Sequence, residues 1–387
     1  MTIELPPMQD LLSILRGREE HMLRLLKQFV GCESPSHHKP AVDRMGRLVA
    51  SEWRRRVARV SVLKQTTRGN HVRAEMWLGG RQAAGQILVL GHLDTVYPLG
   101  TLGKMPFRVK GGAAWGPGTF DMKGGLVLAL AAVDALRVAR IHPGKRLVFL
   151  WTSDEEIGSE SSRAVIESEA QRSDAVLVLE PAYGPEGRLK TARKGVGGAE
   201  LIVTGRAAHA GIAPEKGVNA VHELALQVVQ LMKMNDPRRG VTVQATVVEG
   251  GTVSNVIPAE ARAQVDLRYQ RMADARTIEQ KLRSLRPILN GARVVVNLSA
   301  SRPPLERTAG VQELFRHAQG IAAEMGIVLG ETATGGGSDG NFTAALGVRT
   351  LDGLGAVGDG AHSPQEHVVI RALPERAALL AGLLATL

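Results

Sequence analysis

Short apolar runs alternate with longer helical segments in the first half of the chain. The runs 86–90, 146–151 and 175–179 have the length and composition of buried strands. Helices are predicted over 18–30, which stops at a glycine, and over the strongly apolar 124–140, which has an arginine in its last turn. Strands that alternate with helices in this way indicate an α/β domain with a mostly parallel sheet.

The pattern changes near residue 195, where strands with one exposed face follow. The predicted order is strand, helix, strand, strand, helix, strand, at 199–204, 218–234, 241–248, 261–269, 273–285 and 292–298. This order is typical of a ferredoxin-like split βαβ unit. Two later helices are predicted at 311–325 and 374–384. We therefore expect an inserted domain at 195–301 within a discontinuous domain formed by 1–194 and 302–387.

Composition limits the classes of function. With 387 residues, the chain is long enough for two domains that each bury a core. Aromatic residues make up only 3% of the chain, which argues against stacking platforms for nucleic-acid bases. The net charge of +10 is spread along the chain, so it favours a solvated basic surface or attraction of an anionic substrate over nucleic-acid binding.

The chain has one cysteine, Cys32, which excludes an internal disulfide. Residues 1–15 contain no apolar run of signal-peptide length, and no stretch approaches the uninterrupted length of a membrane span. We therefore expect a cytoplasmic protein without a membrane partner.

Metal-ligating residue types stand where the predicted strands end. The three runs are followed, in chain order, by His92 with Asp94, by Glu155 with Glu156, and by Glu180. Open parallel sheets place their ligand sites at this edge. Asp121 lies in the glycine-rich segment 116–125, which leads directly into a predicted helix. Singly, each residue has a plainer explanation, but burying so many carboxylates together without a cation would be costly.

Two glycine-rich segments invite comparison with nucleotide-binding loops. The spacing in 116–125 and in 335–340 matches neither the dinucleotide fingerprint nor the phosphate loop with its terminal Gly-Lys-Ser/Thr. The second segment, which includes Gly336, is interpreted either as a turn whose amides hold a substrate carboxylate or as a plain flexible loop.

These residue types suit a particular chemistry. Imidazole and carboxylate ligands together favour Zn²⁺, and one carboxylate can bridge two ions. A water between the ions loses a proton and becomes the nucleophile, while a carboxylate outside the ligand set carries that proton to the leaving nitrogen. Glu155 and Glu156 can divide these tasks, because successive extended residues point to opposite sides. By the same rule Asp94 shares a side with His92 and can orient its imidazole.

Five segments together resemble a known family. They are Gly91-His-Leu-Asp-Thr-Val96, Gly116-Pro-Gly-Thr-Phe-Asp-Met-Lys-Gly-Gly125, Thr152-Ser-Asp-Glu-Glu-Ile-Gly158, Leu179-Glu-Pro181 and Ala361-His-Ser363. In order and separation they resemble the zinc-dependent peptidase/deacylase family of glutamate carboxypeptidase, acetylornithine deacetylase and succinyl-diaminopimelate desuccinylase. The likeness spans nearly the whole chain and is closest to the glutamate carboxypeptidase branch.

The resemblance implies a role for each matching residue. His92 and Glu180 would bind one zinc, Glu156 and His362 the other, and Asp121 would bridge them; Co²⁺ or Mn²⁺ are possible substitutes. Glu155 would be the general acid/base, and Asp94 would support His92. The peptide between Asp121 and Met122 would be cis.

The inserted domain has family marks of its own. Gly205-Arg-Ala-Ala-His-Ala-Gly211 resembles the segment whose histidine, here His209, reaches across a dimer to the scissile carbonyl. Asn255 and Arg268 resemble positions that grip the substrate carboxylate. The resemblance thus implies a homodimer formed through this dimerisation or lid domain. The plainer explanations are a histidine in a surface turn, an asparagine at a strand end and an arginine on a sheet face.

The expected activity is release of a C-terminal amino acid from a small N-acyl amino acid or short peptide. One alternative is a deacylase of the acetylornithine or succinyl-diaminopimelate type, and another is a non-catalytic relative that only binds a peptide. Arg188 and Lys190 stand where the branch has a lysine and a serine, which leaves side-chain specificity open.

Overall fold

A computed structural model describes residues 7–79, 85–299 and 302–387. Part of the N-terminal stretch, residues 1–6, and the expected end of the inserted domain, residue 301, lie outside these ranges. The chain divides into two compact units, which we describe separately. The first unit comprises residues 1–191, 307–333 and 338–387, and the second comprises 192–306 and 334–337.

Helices and strands alternate along most of the chain. The α-helices are α1 (Met8–Arg16), α2 (Glu19–Val30), α3 (Lys39–Arg55), α4 (Thr101–Lys104), α5 (Gly124–Val138), α6 (Arg163–Ala170), α7 (Ala220–Met232), α8 (Met272–Arg283), α9 (Ala309–Glu324), α10 (Gly340–Ala345) and α11 (Ala372–Thr386). The strands up to residue 204 are β1 (Arg59–Leu63), β2 (His71–Met76), β3 (Gln86–His92), β4 (Arg108–Lys110), β5 (Ala113–Trp115), β6 (Arg146–Thr152), β7 (Ala175–Val178), β8 (Leu189–Arg193) and β9 (Gly195–Thr204). The later strands are β10 (Ala208–His209), β11 (Thr242–Gly250), β12 (Val256–Ile257), β13 (Glu260–Tyr269), β14 (Arg293–Leu298), β15 (Glu331–Thr334), β16 (Thr350–Leu351), β17 (Gly358–Asp359) and β18 (His367–Val369).

The first unit is built on a mixed six-stranded sheet. Its order is β1-β2-β6-β3-β7-β16. Strands β6, β3, β7 and β16 pair in parallel, whereas β2 is antiparallel to both β6 and β1. The α/β class expected from the sequence is therefore confirmed, and the sheet is mixed at one edge. Strands β1 and β2 were not predicted: β1 is only five residues long and mostly half-buried, and β2 is interrupted by the charged residues Arg73 and Glu75.

Burial explains why the central strands are uniformly apolar. Every residue of β3 and β7 is buried, because helices cover both faces of a parallel sheet. Helix α5 packs against α1, α2, α11 and β3, and so it is apolar on nearly all sides. It begins at a glycine pair because a Cβ on Gly125 would lie only 2.5 Å from the carbonyl oxygen of Leu179. This close approach brings the start of α5 against the end of β7.

A smaller antiparallel sheet of the first unit has the order β17-β18-β5-β4. It pairs His367 with Trp115 and so joins the C-terminal part of the unit to the segment that precedes Asp121. Among the described residues, no helix has both the length and the apolar character needed to cross a bilayer.

The second unit is a four-stranded antiparallel sheet in the order β11-β13-β9-β14. Buried and exposed residues alternate along β13, as expected for a sheet covered on one face. Helices α7 and α8 pack on this sheet. The chain order and strand order are those of a split βαβ unit. Residues 334–337, which include Gly336, also belong to this unit, although from the sequence we placed them in the other domain.

Candidate active site

The ends of three neighbouring parallel strands meet at one edge of the first sheet. Register pairs His92, the last residue of β3, with Thr152, the last residue of β6, and it pairs Leu90 with Val178 of β7. The chain after β6 turns into a short 3₁₀ helix at Glu155–Ile157. The side chains that follow these strand ends therefore lie close together, as open parallel sheets arrange them.

The first group of potential metal ligands consists of His92, Asp121 and Glu180. Nε2 of His92 lies 3.2 Å from Oδ1 of Asp121 and 3.7 Å from Oε1 of Glu180. His92 and Glu180 are buried, and Asp121 is largely so. The three side chains present one ligand atom each to a common point.

The second group consists of Asp121, Glu156 and His362. Nε2 of His362 lies 3.2 Å from Oδ2 of Asp121 and 3.2 Å from Oε2 of Glu156. The two groups share Asp121, and each uses a different oxygen of its carboxylate. This is the geometry of a carboxylate that bridges two neighbouring cations.

The residues present fit divalent metal ions. Within each group the ligand atoms lie within 4.8 Å of one another. Oε1 of Glu156 is buried and has no hydrogen-bond partner in the part of the chain that the structure describes, a costly arrangement unless a cation satisfies it. Imidazole nitrogens combined with carboxylate oxygens form a donor set that suits zinc.

The charges of the site are strongly coupled. Hydrogen bonds that His362 donates to Asp121 and Glu156 raise the pKa of His362 to about 10. Burial opposes charge on His92, but hydrogen bonds to Asp121 and Asp94 outweigh it and raise the pKa of His92. Burial would raise the pKa of Asp121, yet the two histidines hold that pKa well below its usual range. Burial raises the pKa of Glu156 to about 7. In the chain alone, the protonated rings of His92 and His362 balance the charge of the carboxylates. A bound cation would replace the protons on these two rings.

Asp94 supports the site in a different way from the one we expected. Its backbone carbonyl lies 2.9 Å from Nδ1 of His92, whereas its carboxylate oxygen Oδ1 is 3.5 Å away. The carboxylate instead accepts hydrogen bonds from the hydroxyl of Ser36 at 2.7 Å and from the amides of Glu155 and Glu156 at 3.3 Å each. Asp94 therefore contacts the two segments that carry His92 and the glutamate pair.

Glu155 and Glu156 are not extended, so the premise for their division of tasks was wrong. Both lie in the 3₁₀ turn after β6, which ends at Gly158 with φ 101°. A tight turn separates their side chains by rotation about the helix axis rather than by the alternation of a strand. Glu155 is half-buried, and its backbone is tied to Asp94.

The loop that carries Asp121 is held by a residue that sequence reasoning missed. The Asp121–Met122 peptide is cis, as the resemblance implied. The buried carboxylate of Glu366 accepts hydrogen bonds from the amides of Gly118, Phe120 and Asp121 at 2.8–3.0 Å. The signal in the sequence was weak: Glu366 is simply the fourth residue after His362. Ser36 was missed as well, because nothing near it in the chain indicates chemistry.

The second unit brings together two of the predicted residues. His209 on β10 pairs with Val256 on β12, and the carbonyl of the adjacent Asn255 accepts a hydrogen bond from Ala210 at 2.9 Å. His209 is exposed, and its Nδ1 accepts hydrogen bonds from the amides of Gly211 and Ile212 at 3.1 Å. Because Nδ1 is an acceptor, the proton of the neutral ring is on Nε2, which is therefore a donor.

Arg268 and Gly336 lie elsewhere in the same unit. Arg268 faces Val196 across β13 and β9, and its guanidinium forms two hydrogen bonds with Asp266, of 2.9 and 3.0 Å. The carbonyl of Gly336 accepts a hydrogen bond from Arg193 at 3.1 Å. Val196 is near the start of β9, whereas His209 follows the end of that strand at Thr204. Eight residue steps, or roughly 27 Å, separate Val196 from Thr204.

The two residues that depart from the family pattern lie in the first unit. Arg188 is exposed, with its Nε 3.7 Å from a carboxylate oxygen of Glu186. Lys190 is buried, and its amide donates a hydrogen bond to the carbonyl of Asp352.

The chain is similar to known proteins along most of its length. The sequence profile of peptidase family M20/M25/M40 matches residues 88–386. Carboxypeptidase G2 of Pseudomonas sp. (strain RS-16) is 36% identical over 304 residues, which cover 77% of this chain and 73% of that protein. A succinyl-diaminopimelate desuccinylase of Dechloromonas aromatica (strain RCB) is 29% identical over 338 residues, which cover 79% of this chain and 84% of that protein.

Solved structures share the fold at low identity. The aminopeptidase PepT of Bacillus cereus superposes with a TM-score of 0.80 at 21% identity, covering 95% of this chain and 98% of the other. An M20 family metallo-carboxypeptidase from Sulfolobus solfataricus gives a TM-score of 0.69 at 18% identity, covering 94% and 98%. At these identities the likeness shows the fold alone.

Proposed function

Because this chain belongs to peptidase family M20/M25/M40, as the motifs had led us to expect, we propose that it is a di-zinc hydrolase that releases a C-terminal amino acid from an N-acyl amino acid or short peptide. The convergence of five ligands in two groups that share Asp121 carries this proposal. His92 and Glu180 would hold one zinc, Glu156 and His362 the other, and Asp121 would bridge them.

When bound, the zinc ions make a water acidic near neutral pH and polarise the scissile carbonyl. Glu155 takes the proton of the attacking water and delivers it to the leaving nitrogen. Its backbone amide is held by the Asp94 carboxylate, which fixes the turn on which Glu155 lies. Nε2–H of His209 donates to the carbonyl oxygen as negative charge develops there, and the hydrogen bonds to Nδ1 fix that tautomer.

Exposed apolar residues of the second unit support the proposal of a dimer. Strand β11 is at the edge of its sheet, and its exposed residues include Val247 and Val248. Helix α7, which packs on β11, exposes Val229 and Met232. An apolar edge strand beside an apolar helix face favours pairing with another chain. A homodimer through the second unit would supply His209 to the partner's metal centre.

Co-expression of two inactive variants tests this arrangement. A heterodimer of His209→Ala and Glu155→Gln subunits contains one complete site if His209 acts across the interface. Random assembly of a dimer would then restore about a quarter of wild-type activity. A mixture no more active than either parent would show that His209 does not act in the partner's site.

The carboxylate of the substrate would be recognised by Arg268 and the amides around Gly336 of one chain, and by Asn255 of the partner chain, since Asn255 lies beside His209 and far from Arg268 of its own chain. Arg268 is already paired with Asp266, which fixes the orientation of its guanidinium. A C-terminal carboxylate gives the substrate the negative charge that such a group selects. Arg188 and Lys190 would favour an acidic side chain on the leaving amino acid.

The alternative is a deacylase that acts on a different leaving amine, as the names of the desuccinylase relatives suggest. A hydrolysis panel separates the two. With Zn²⁺ supplied, we expect cleavage of N-acylglutamates and little cleavage of N-acetylornithine or N-succinyl-diaminopimelate. Activity on the latter two alone would favour the deacylase.

A non-catalytic, peptide-binding role is disfavoured because the five ligands and Glu155 are all present. The absence of any hydrolysis by zinc-loaded protein across the panel would reverse this preference.

A further inference from the structure

Glu366 is a buried carboxylate to which the proposed mechanism gives no role. Its side chain is completely inaccessible to solvent. Oε1 accepts hydrogen bonds from the amides of Phe120 at 2.8 Å and Asp121 at 2.9 Å. Oε2 accepts from the amide of Gly118 at 3.0 Å and from the hydroxyl of Tyr97 at 2.5 Å. One carboxylate thus receives four donors.

Three of these donors belong to the loop that presents Asp121. The loop cannot satisfy them within a regular element, because φ and ψ at Asp121 and Met122 are not helical. Gly118 has φ 72°, and a Cβ there would lie 2.7 Å from Cγ2 of Thr95, so the loop is packed closely in this position. Buried amides without partners would be costly, and Glu366 is what satisfies them.

The same residue is tied to the turn that carries His362. The amide of Glu366 donates to the carbonyl of Ser363 at 3.1 Å, and the carbonyl of Glu366 accepts from Gly116 at 3.2 Å. The hydroxyl of Tyr97 also lies 3.0 Å from the carbonyl of Ser363. The side chain of Glu366 therefore fixes the loop of Asp121, while its backbone amide and Tyr97 link this residue to the turn of His362.

We propose that Glu366 is a positioning residue that presets Asp121 beside His362 for the paired metal ions by holding the amides of the Asp121 loop. The inference rests on the proposed di-zinc site. It concerns ligand placement, so its consequence is metal affinity as well as turnover. Groups that orient metal ligands typically change metal affinity by about 10- to 100-fold when they are replaced.

Glu366→Gln is the direct test. Whichever way the amide turns, at least one loop amide loses its acceptor and faces an NH₂ group: Gly118 in one orientation, in which Tyr97 can still donate to Ser363, and both Phe120 and Asp121 in the other. We expect the affinity for Zn²⁺, measured by competition with a chromophoric chelator, to fall by about 10- to 100-fold. The absorption spectrum of the Co²⁺-loaded protein should change as well, because it reports ligand geometry.

Two matched variants separate positioning from a general loss of stability. Glu169→Gln removes an equally buried carboxylate, one that binds Arg73 and Gln86 instead, and it should leave the zinc affinity and the Co²⁺ spectrum unchanged. Tyr97→Phe removes the one donor that is not a loop amide, and it should weaken zinc binding by no more than about fivefold. If Glu366→Gln does not fold, Glu366→Asp can be used, since it keeps the charge but shortens the reach of the side chain. We expect its loss of zinc affinity to lie between the limit of about fivefold for Tyr97→Phe and the roughly 100-fold limit for Glu366→Gln.

Wild-type zinc affinity and an unchanged Co²⁺ spectrum in a folded Glu366 variant would overturn the positioning role. If the wild-type protein binds zinc and hydrolyses an N-acyl amino acid, that result leaves the proposed function intact. A wild-type protein that binds no zinc would overturn both.

Discussion

Replacing Asp94 with asparagine changes one atom at a point where several parts of the candidate site meet. The carboxylate accepts hydrogen bonds from Ser36 and from the amides of Glu155 and Glu156, and it lies 3.5 Å from Nδ1 of His92. Asparagine keeps the shape of the side chain but turns one acceptor oxygen into an NH₂ donor. At least one backbone amide of the glutamate turn then faces a donor.

The size of the effect follows from that count. A hydrogen bond to a charged group contributes about 1.5–3 kcal/mol, and a buried donor left without a partner costs a similar amount. Because the two amide contacts are long, at 3.3 Å, we take a total loss within that range rather than a sum. At 1.4 kcal/mol for each factor of ten, kcat/KM should fall roughly 10- to 150-fold.

The assay is kcat/KM for an N-acylglutamate with zinc in excess, together with the zinc affinity of the metal-free protein. Ser36→Ala is the matched control, since it removes a single neutral donor to the same carboxylate and should cost no more than about fivefold. A kcat/KM for Asp94→Asn within twofold of the wild-type value would refute the role assigned to this carboxylate.

Four other predictions concern Glu155, the pKa of His362 and the surface of the second unit. Glu155→Gln should keep its zinc but lose about 10²- to 10⁴-fold in kcat. Near-normal turnover in a sample with the same zinc content as the wild type would show that Glu155 does not transfer the proton. Because Asp121 and Glu156 raise the pKa of His362 to about 10, zinc must displace a proton from this histidine when it binds. The affinity for zinc should therefore fall as the pH drops from about 9 to 6, and calorimetry in two buffers of different ionisation enthalpy should detect the released proton. A zinc affinity that does not change with pH would contradict this. The same shift stabilises the metal-free chain fully below pH 6.5, and thermal unfolding should show that contribution being lost as the pH rises through about 10. If the chain forms the proposed dimer, Val248→Glu should shift it to monomers in light scattering and reduce activity as His209→Ala does, whereas a fully active monomer would contradict the role of His209 across the interface.

The parts of the fold that sequence predicted well have patterns set by burial. Strands β3, β6 and β7 are apolar on both faces, so their runs were visible, and the ligand types at their ends marked the edge of the sheet. Helix α3 was missed because its polar face interrupts the apolar pattern. Its N-terminus is capped by His38, whose Nδ1 accepts a hydrogen bond from the amide of Ala41. A histidine cap is not among the usual signals for a helix start.

Other features could not be inferred because they depend on contacts between distant residues. Glu366 reaches the Asp121 loop across about 245 positions of sequence, and no local pattern encodes such a bond. The segment 334–337 packs with the second unit although its neighbours on both sides belong to the first. The turn at Glu155–Ile157 replaced an expected extended chain because Gly158 follows with a positive φ.

Calorimetric titration of the metal-free protein with Zn²⁺ can establish whether the chain holds a bridged pair of ions. The shared Asp121 predicts that two ions bind per chain and that Asp121→Ala loses the paired binding, since both groups of ligands use this carboxylate. A chain that takes up no zinc, or one that binds it equally well without Asp121, would contradict a bridged metal centre at this site.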